Sequence, residues 1–394
     1  MTKRCLSLRP GLLAVLMATT GSGAESPIAP PPTAATSVTP DSWPVFRGDS
    51  RSTGVASSSL PEQLRLLWKF APDRGSFDGT AAIVDGAVYL GDMRGKLVCL
   101  DLATGKLRWE YATGSGFTAS PAVRDDRLYI GDIDGKFYCL QTADGQKFWS
   151  FDSEAEIDSS ANFFQDNVLF GSQDATLYCL NAKSGKLTWK LAIGDQIRCS
   201  PTVVEDRCFV AGCDGRLHVV DLQQGQEVAS VPIESPTCVT PAAVGDRAYF
   251  GTEGGAFFCV DWKQAKVVWT FTGENRGQPY RSCPAVSGRY VVFGGRNKRI
   301  QALDAENGNE LWQVAVKQRV DSSPIIAGQR VFVGGGDGRL VALELKTGKE
   351  VWQFEAGGAF TGSPAVAAGR LVIANDAGVV YCFGQEPLQQ REPK

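Results

Sequence analysis

Four short apolar runs, split by polar turns, recur as a unit along positions 64–383. In the second unit they occupy 119–124, 127–131, 136–141 and 146–151. Asp125-Asp126, Asp134-Gly135 and Asp144-Gly145 separate them. Asp-Gly between apolar runs predicts hairpins, because both residues tolerate the positive φ of a tight turn. Four strands joined this way make an antiparallel sheet with no room for a helix.

The units repeat at a near-constant interval. Gly91 and Trp109 stand 18 residues apart, as do Gly131 and Trp149, Gly171 and Trp189, Gly251 and Trp269, Gly294 and Trp312, and Gly334 and Trp352. Ala211 and Ala229 hold the same spacing in a worn copy. Eleven residues before each first landmark lie Thr80, Ser120, Ser160, Ser200, Thr240, Cys283, Ser323 and, in the last unit, Ser363. About 40 residues per four-stranded unit is a propeller period. The final unit has three strands. Its missing fourth is the stretch 64–70, which contains Trp68. The chain is therefore expected to be all-β, an eight-bladed β-propeller of four-stranded antiparallel blades closed by pairing its two ends, which removes sheet edges. Trp68, Trp109, Trp149, Trp189, Trp269, Trp312 and Trp352 are expected to dock against neighbouring blades.

Ala302, Asp304, Gly308 and Trp312 follow the pattern Ala-x-Asp-x-x-x-Gly-x-x-x-Trp, and 342–352 comes close to it. This resembles the tryptophan-docking motif of the quinoprotein propellers. The chain is identified by it as a member of the PQQ-like β-propeller repeat family. That family includes quinoprotein dehydrogenases and non-enzymatic relatives such as the BamB-type subunit of the outer-membrane β-barrel assembly machinery. Trp43-Pro-Val-Phe-Arg-Gly48 is similar to the lead-in of exported bacterial members. The resemblance implies the fold; function has to be argued from the site. WD40 signatures are missing: no tryptophan precedes an aspartate, and the chain has one histidine.

Residues 1–24 read as a secretory signal, with Lys3 and Arg4, a short apolar core at 11–17 and small residues at Ser22-Gly23-Ala24. Cys5 precedes that core, so it is not a lipidation cysteine at the cleavage point. This departs from the assembly-machinery subunit, a lipoprotein. The mature chain is expected in the periplasm or outside the cell, without a membrane span. The stretch 25–42 is Pro/Ala/Thr-rich and reads as a disordered tether, 43–63 as a strap on the propeller surface, and 384–394 as a disordered tail.

Net charge is −3 and no basic block appears, which argues against a nucleic-acid partner. Cys99, Cys139, Cys179, Cys259 and Cys382 share one repeat slot with Val219, Ala302 and Ala342, so it is a small buried site. Cys199, Cys208, Cys213, Cys238 and Cys283 cluster in blades four to six. An exported chain permits a disulfide among them, with Cys208 and Cys213 flanking a strand end. No Cys-x-x-Cys pair points to zinc. His218 occupies a slot held elsewhere by Val98, Tyr138, Tyr178 and Phe258, and reads as a strand residue. With no Gly-x-Ser-x-Gly elbow, no catalytic residue is assigned.

Function in a repeat protein belongs at its variable positions. Two residues before each Ser-type landmark stand Asp78, Thr118, Asp158, Arg198, Cys238, Arg281, Asp321 and Thr361. They are expected to ring the axial rim, with Asp158 beside Arg198 and Arg281 beside Asp321. The preceding positions are mostly apolar, including Phe77, Phe117, Tyr280 and Phe360. Tyr280 ends the three-residue-longer loop that follows Trp269. The candidate partner- or ligand-binding rim is Asp78, Thr118, Asp158, Arg198, Tyr280, Arg281, Asp321 and Thr361.

The primary reading is an exported, non-enzymatic, monomeric scaffold for an envelope protein or peptide. The alternatives are a sugar- or small-ligand-binding propeller, in which rim aromatics would stack, and a PQQ-dependent dehydrogenase. The resemblance implies that the dehydrogenases hold PQQ against a disulfide of adjacent cysteines and use calcium. This sequence has no Cys-Cys pair, and no cofactor or metal residue is assigned.

Overall fold

A computed structural model describes residues 39–73, 75–273 and 277–386. The chain divides into Met1–Thr33 and Ala34–Lys394. The signal segment, most of the tether, loop residues 274–276 and the end of the tail lie outside the described residues.

Eight antiparallel blades of four strands follow one another, as the repeat predicts, and a short fifth strand joins one of them. Blade two is typical: Ala122–Arg124, Arg127–Gly131, Lys136–Gln141 and Lys147–Asp152. The eighth blade is completed by Arg65–Phe70, which pairs antiparallel with Val380–Gly384. The innermost strands are short, because the landmark residue before each uses its backbone across the ring instead. The Thr80 N–H donates to the Ser120 hydroxyl at 2.8 Å, and the Ser120 N–H to the Ser160 hydroxyl at 2.9 Å. The relay continues through Ser200, Thr240, the Cys283 sulfur, Ser323 and Ser363. It closes where the Ser363 N–H meets the Thr80 hydroxyl at 3.2 Å.

A second set of contacts lies further out and spans seven of the eight interfaces between blades. The Trp68 indole N–H donates to the Leu102 carbonyl of the next blade, Trp109 to Thr142, Trp149 to Ala182 and Trp189 to Leu222. Trp269, Trp312 and Trp352 donate to Ala305, Leu345 and Leu64. Each of the first six rings presses on a turn glycine of that blade. A Cβ on Gly348 would lie 2.7 Å from the Trp312 ring, and with φ of +72° at Gly348 and +74° at Gly308 both turns also need glycine for their backbone. Behind each tryptophan sits the small slot: Cys99 faces Trp109 and Ala302 faces Trp312.

The worn blade shows compensation. Ala229 replaces the tryptophan, the larger Val219 faces it, and Ala265 replaces the turn glycine. Trp262 of blade five instead packs on Phe209 of blade four, ring centroids 5.2 Å apart. The equivalents of Phe209, such as Tyr89 and Tyr129, carry the docking tryptophan of their own blades.

The strap expected on the surface lies inside. Trp43, Val45, Arg47 and Ser52 are buried. Its backbone runs along the innermost strands in blade order. Pro40 accepts from the Ala368 N–H, Trp43 exchanges bonds with Ile83, and Pro44 accepts from Val123. Ser50 accepts from Val203 and from the Asn162 side chain. Arg51, Thr53 and Gly54 accept from Ala243, Val286 and Ile326. Val55–Ala56 then pairs parallel with the innermost strand of blade seven, and the Ser58 hydroxyl accepts from Gly369 in blade eight. The physical reason is the inner edge itself. N–H groups facing the axis have no strand partner, and buried donors require acceptors.

Trp312→Ala is expected to destabilise the chain by about 3–5 kcal/mol, through lost packing and an orphaned Leu345 carbonyl. Val351→Thr, on a half-exposed residue, is expected to change stability by less than about 0.5 kcal/mol. Urea unfolding followed by tryptophan emission measures both.

Candidate functional site

One mouth of the ring is built from two loops per blade. The loop entering the innermost strand and the hairpin between the second and third strands are zipped by a repeated bond. The Met93 N–H donates to the Ser76 carbonyl, and Ile133, Gln173, Cys213, Glu253, Arg296, Gly336 and Asp376 donate to their counterparts. The donor stands 13 residues after its landmark and the acceptor four before it. Side chains from both positions join the variable positions predicted for the rim.

The Arg198–Asp158 neighbourhood is present, with Nε 2.9 Å from Oδ2. Asp158 also accepts from the Thr118 hydroxyl at 2.8 Å and from Gln173 Nε2 at 2.9 Å. Thr361 donates to Asp78 at 3.0 Å across the join between the last blade and the first. Arg281 does not pair with Asp321. It holds Glu253 in a two-pronged contact, Nε–Oε1 2.8 Å and Nη2–Oε2 2.9 Å. Asp321 is taken by Arg296, at 2.9 Å through two bonds, and by Arg319 at 3.0 Å. Here the hairpin of the preceding blade supplies the partner, Glu253 to Arg281 and Arg296 to Asp321.

Tyr280 does not open onto the rim. It is 2% exposed and packs edge-on against Phe293, ring centroids 5.1 Å apart. Phe77, Phe117 and Phe360 are buried as well. The cause is a wedge: a Cβ on Gly91, Gly251 or Gly334 would collide with Phe117, Tyr280 or Phe360 at 2.7, 2.4 and 2.4 Å. The aromatic stacking platform that a sugar site would use is therefore spent on blade packing.

Gln173, Glu253, Arg296, Glu156 and Arg319 are rim residues that the sequence reading missed, and their constant offset from the landmark was the available signal. Glu156 is the most perturbed. Burial, then a hydrogen bond to the Asp158 carboxyl and its charge, pushes it up to about 7. Cys238 fills the rim slot of blade five with its sulfur 3.5 Å from Glu253 Oε1, and burial pushes its thiol up to about 12. All cysteines among the described residues are free, Cys208 and Cys213 included. His218 is buried between Asp214, 2.9 Å away, and Glu227. It takes the role that Tyr138 plays on Asp132 and Tyr178 on Asp174.

Charge on this mouth is divided. Glu154, Glu156, Asp158, Asp174, Asp195, Asp214 and Glu253 line the loops of blades three to five, with Arg198 among them. Arg281, Arg296, Lys298, Lys317 and Arg319 line blades six and seven, with Asp321 and Asp337 among them, which leaves these loops net positive.

A PQQ-repeat family model described as outer membrane protein assembly factor BamB matches residues 58–161, 134–270 and 296–387. No curated protein matches the sequence at a significant level. Among solved structures, BamB from Moraxella catarrhalis superposes with a TM-score of 0.70 at 19% identity, over 84% of this chain and 100% of that one. Quinohemoprotein alcohol dehydrogenase from Comamonas testosteroni gives 0.74 at 15% identity, over 91% and 83%. The computationally designed Ika8 protein gives 0.73 at 17%, over 82% and 100%. Identities this low speak for the fold alone. An assembly factor, a dehydrogenase and a designed protein all carry it.

Because Glu156 binds its proton more tightly folded than unfolded, its contribution to stability is present below its ordinary value of 4.5 and lost as pH rises through about 7. Glu156→Gln is expected to flatten the decline in Tm across that window, measured by thermal melts at fixed ionic strength.

Proposed function

The chain belongs to the PQQ-repeat propeller family whose model is described as outer membrane protein assembly factor BamB, and on that premise we propose that it is an exported, non-catalytic scaffold that docks a protein or peptide partner on the charged rim. The observation that carries this reading is the division of that mouth into an acidic and a basic arc. Arg281, 40% exposed, stands where the arcs meet, and Arg198, 47% exposed, stands within the acidic arc. Charge arranged in opposed arcs orients an incoming chain and speeds its encounter more than it adds affinity. The scaffold beneath is rigid, held by the relay of hydroxyl bonds and by the docked tryptophans, so that variable side chains sit on a fixed frame.

Chemistry is poorly supported by the same residues. His218 is enclosed by two carboxylates below the surface. The dehydrogenase likeness raises PQQ with calcium, and the donor set does not fit that pair. No two cysteines adjoin in sequence, and among the described residues no three His, Cys, Asp or Glu side chains are grouped to hold a metal ion. Export rests on the signal-like character of 1–24 and on the envelope role printed for the family.

Photo-crosslinking in cells, from a probe at exposed Gln196, tests the scaffold. It is expected to capture an envelope protein, and the double variant Arg198→Ala, Arg281→Ala is expected to lose that capture with Tm nearly unchanged. Capture that survives the double variant removes the rim from the reading. Titration of the mature protein with PQQ and calcium is expected to leave tryptophan fluorescence without a saturable change. Saturable binding with dye reduction would replace the scaffold by an enzyme.

A further inference from the structure

Arg47 is 1% exposed, at the centre of the strap that circles the axis. Its Nη2 donates to the carbonyls of Pro284 and Pro324, which immediately precede the innermost strands of blades six and seven. Its Nε and Nη1 have no acceptor. No carboxylate forms an ion pair with it among the described residues. Asp49, the nearest acid on the strap, is occupied by the N–H groups of Arg51 and Thr53 and by the Thr53 hydroxyl. Burial lowers Arg47 only to about 10, so it is a cation at neutral pH. A buried charge without a counter-charge, with two buried donors idle, is a state that folded proteins avoid.

The strap is shaped around this side chain. A Cβ on Gly54 would lie 2.0 Å from Nη2, and the Gly54 N–H donates to the Arg47 carbonyl at 3.0 Å. The guanidinium is thus fixed in place rather than free to seek another partner. A second buried donor without an acceptor, Trp43 Nε1, lies four residues earlier on the same strap. The interior enclosed by the strap is rich in donors and short of negative charge.

We infer that the axial interior holds a small monovalent inorganic anion, of the size of a halide, on one of the two idle donors of Arg47, Nε or Nη1, which point to opposite sides of the guanidinium. The donor geometry selects this class. A guanidinium offers two forks, Nε with Nη2 and Nη1 with Nη2. Nη2 is committed to two proline carbonyls, so both forks are broken for a bidentate carboxylate or phosphate. A spherical ion needs no fork. Water would accept the same hydrogen bonds and leave the charge unbalanced.

Crystals of the protein in which bromide replaces chloride test the site directly. An anomalous peak within hydrogen-bonding distance of Arg47 Nε or Nη1 is expected. Density there without an anomalous signal would overturn the inference and assign the position to water. In solution, Tm is expected to rise saturably with chloride when gluconate keeps ionic strength fixed, by mass action on the folded state. Arg47→Met is expected to abolish that dependence. Parallel curves for the two proteins would overturn the inference, and the anomalous experiment decides it on the wild-type chain should Arg47→Met not fold.

Discussion

Everything in this molecule depends on a hydrogen bond that a side chain receives from the blade before it. The hydroxyl of each landmark residue accepts a neighbour's N–H, and its own N–H is passed on. Eight such bonds close on themselves between Ser363 and Thr80. Each bond alone is worth on the order of 1 kcal/mol. Their force lies in closure, because a blade cannot shift without breaking bonds on both sides. Cys283 keeps the relay intact with sulfur where the others use oxygen. That placement explains a cysteine in a slot of serines and threonines better than any redox role.

The period made the ring legible. Landmarks 40 residues apart, tryptophans with matching small slots, and a three-stranded last unit with a spare strand at the front led to the closure observed between Arg65–Phe70 and Val380–Gly384. These features repeat, so each copy supports the others. What occurs once was not legible. The segment 43–63 has no second copy, and nothing in its composition tells an inner lining from an outer one. Its place follows from the unpaired N–H groups of eight inner strands, a need visible only after the strands are arranged. The rim falls between these cases. Its positions were legible from spacing, while its partnerships were not. Arg281 pairs with Glu253, on the hairpin of the preceding blade, and Asp321 with Arg296, on the hairpin of the blade before it.

The worn blade shows how far the repeat can be edited. Losing one tryptophan coincides with a larger residue in the facing slot, an alanine at the turn, and a tryptophan contributed from the opposite side of the same interface. The contact is preserved and its direction reversed. A motif search that demands each residue in its usual place would count a defect there, although the interface is filled. The rim tolerates wider change, since its residues bond to one another and leave the ring beneath untouched.

The strap is made before any blade and finds its seat only when all eight stand around it. It draws on the Ile83 edge near the start of the ring and on Ala368 near the end. Both it and the closing strand beside it therefore wait for the last part of the chain. A prematurely ended chain would leave its first segment unseated, with buried aromatic and cationic groups exposed to whatever inspects incomplete proteins. The molecule thus carries, in the order of its own synthesis, a register of whether it has been finished.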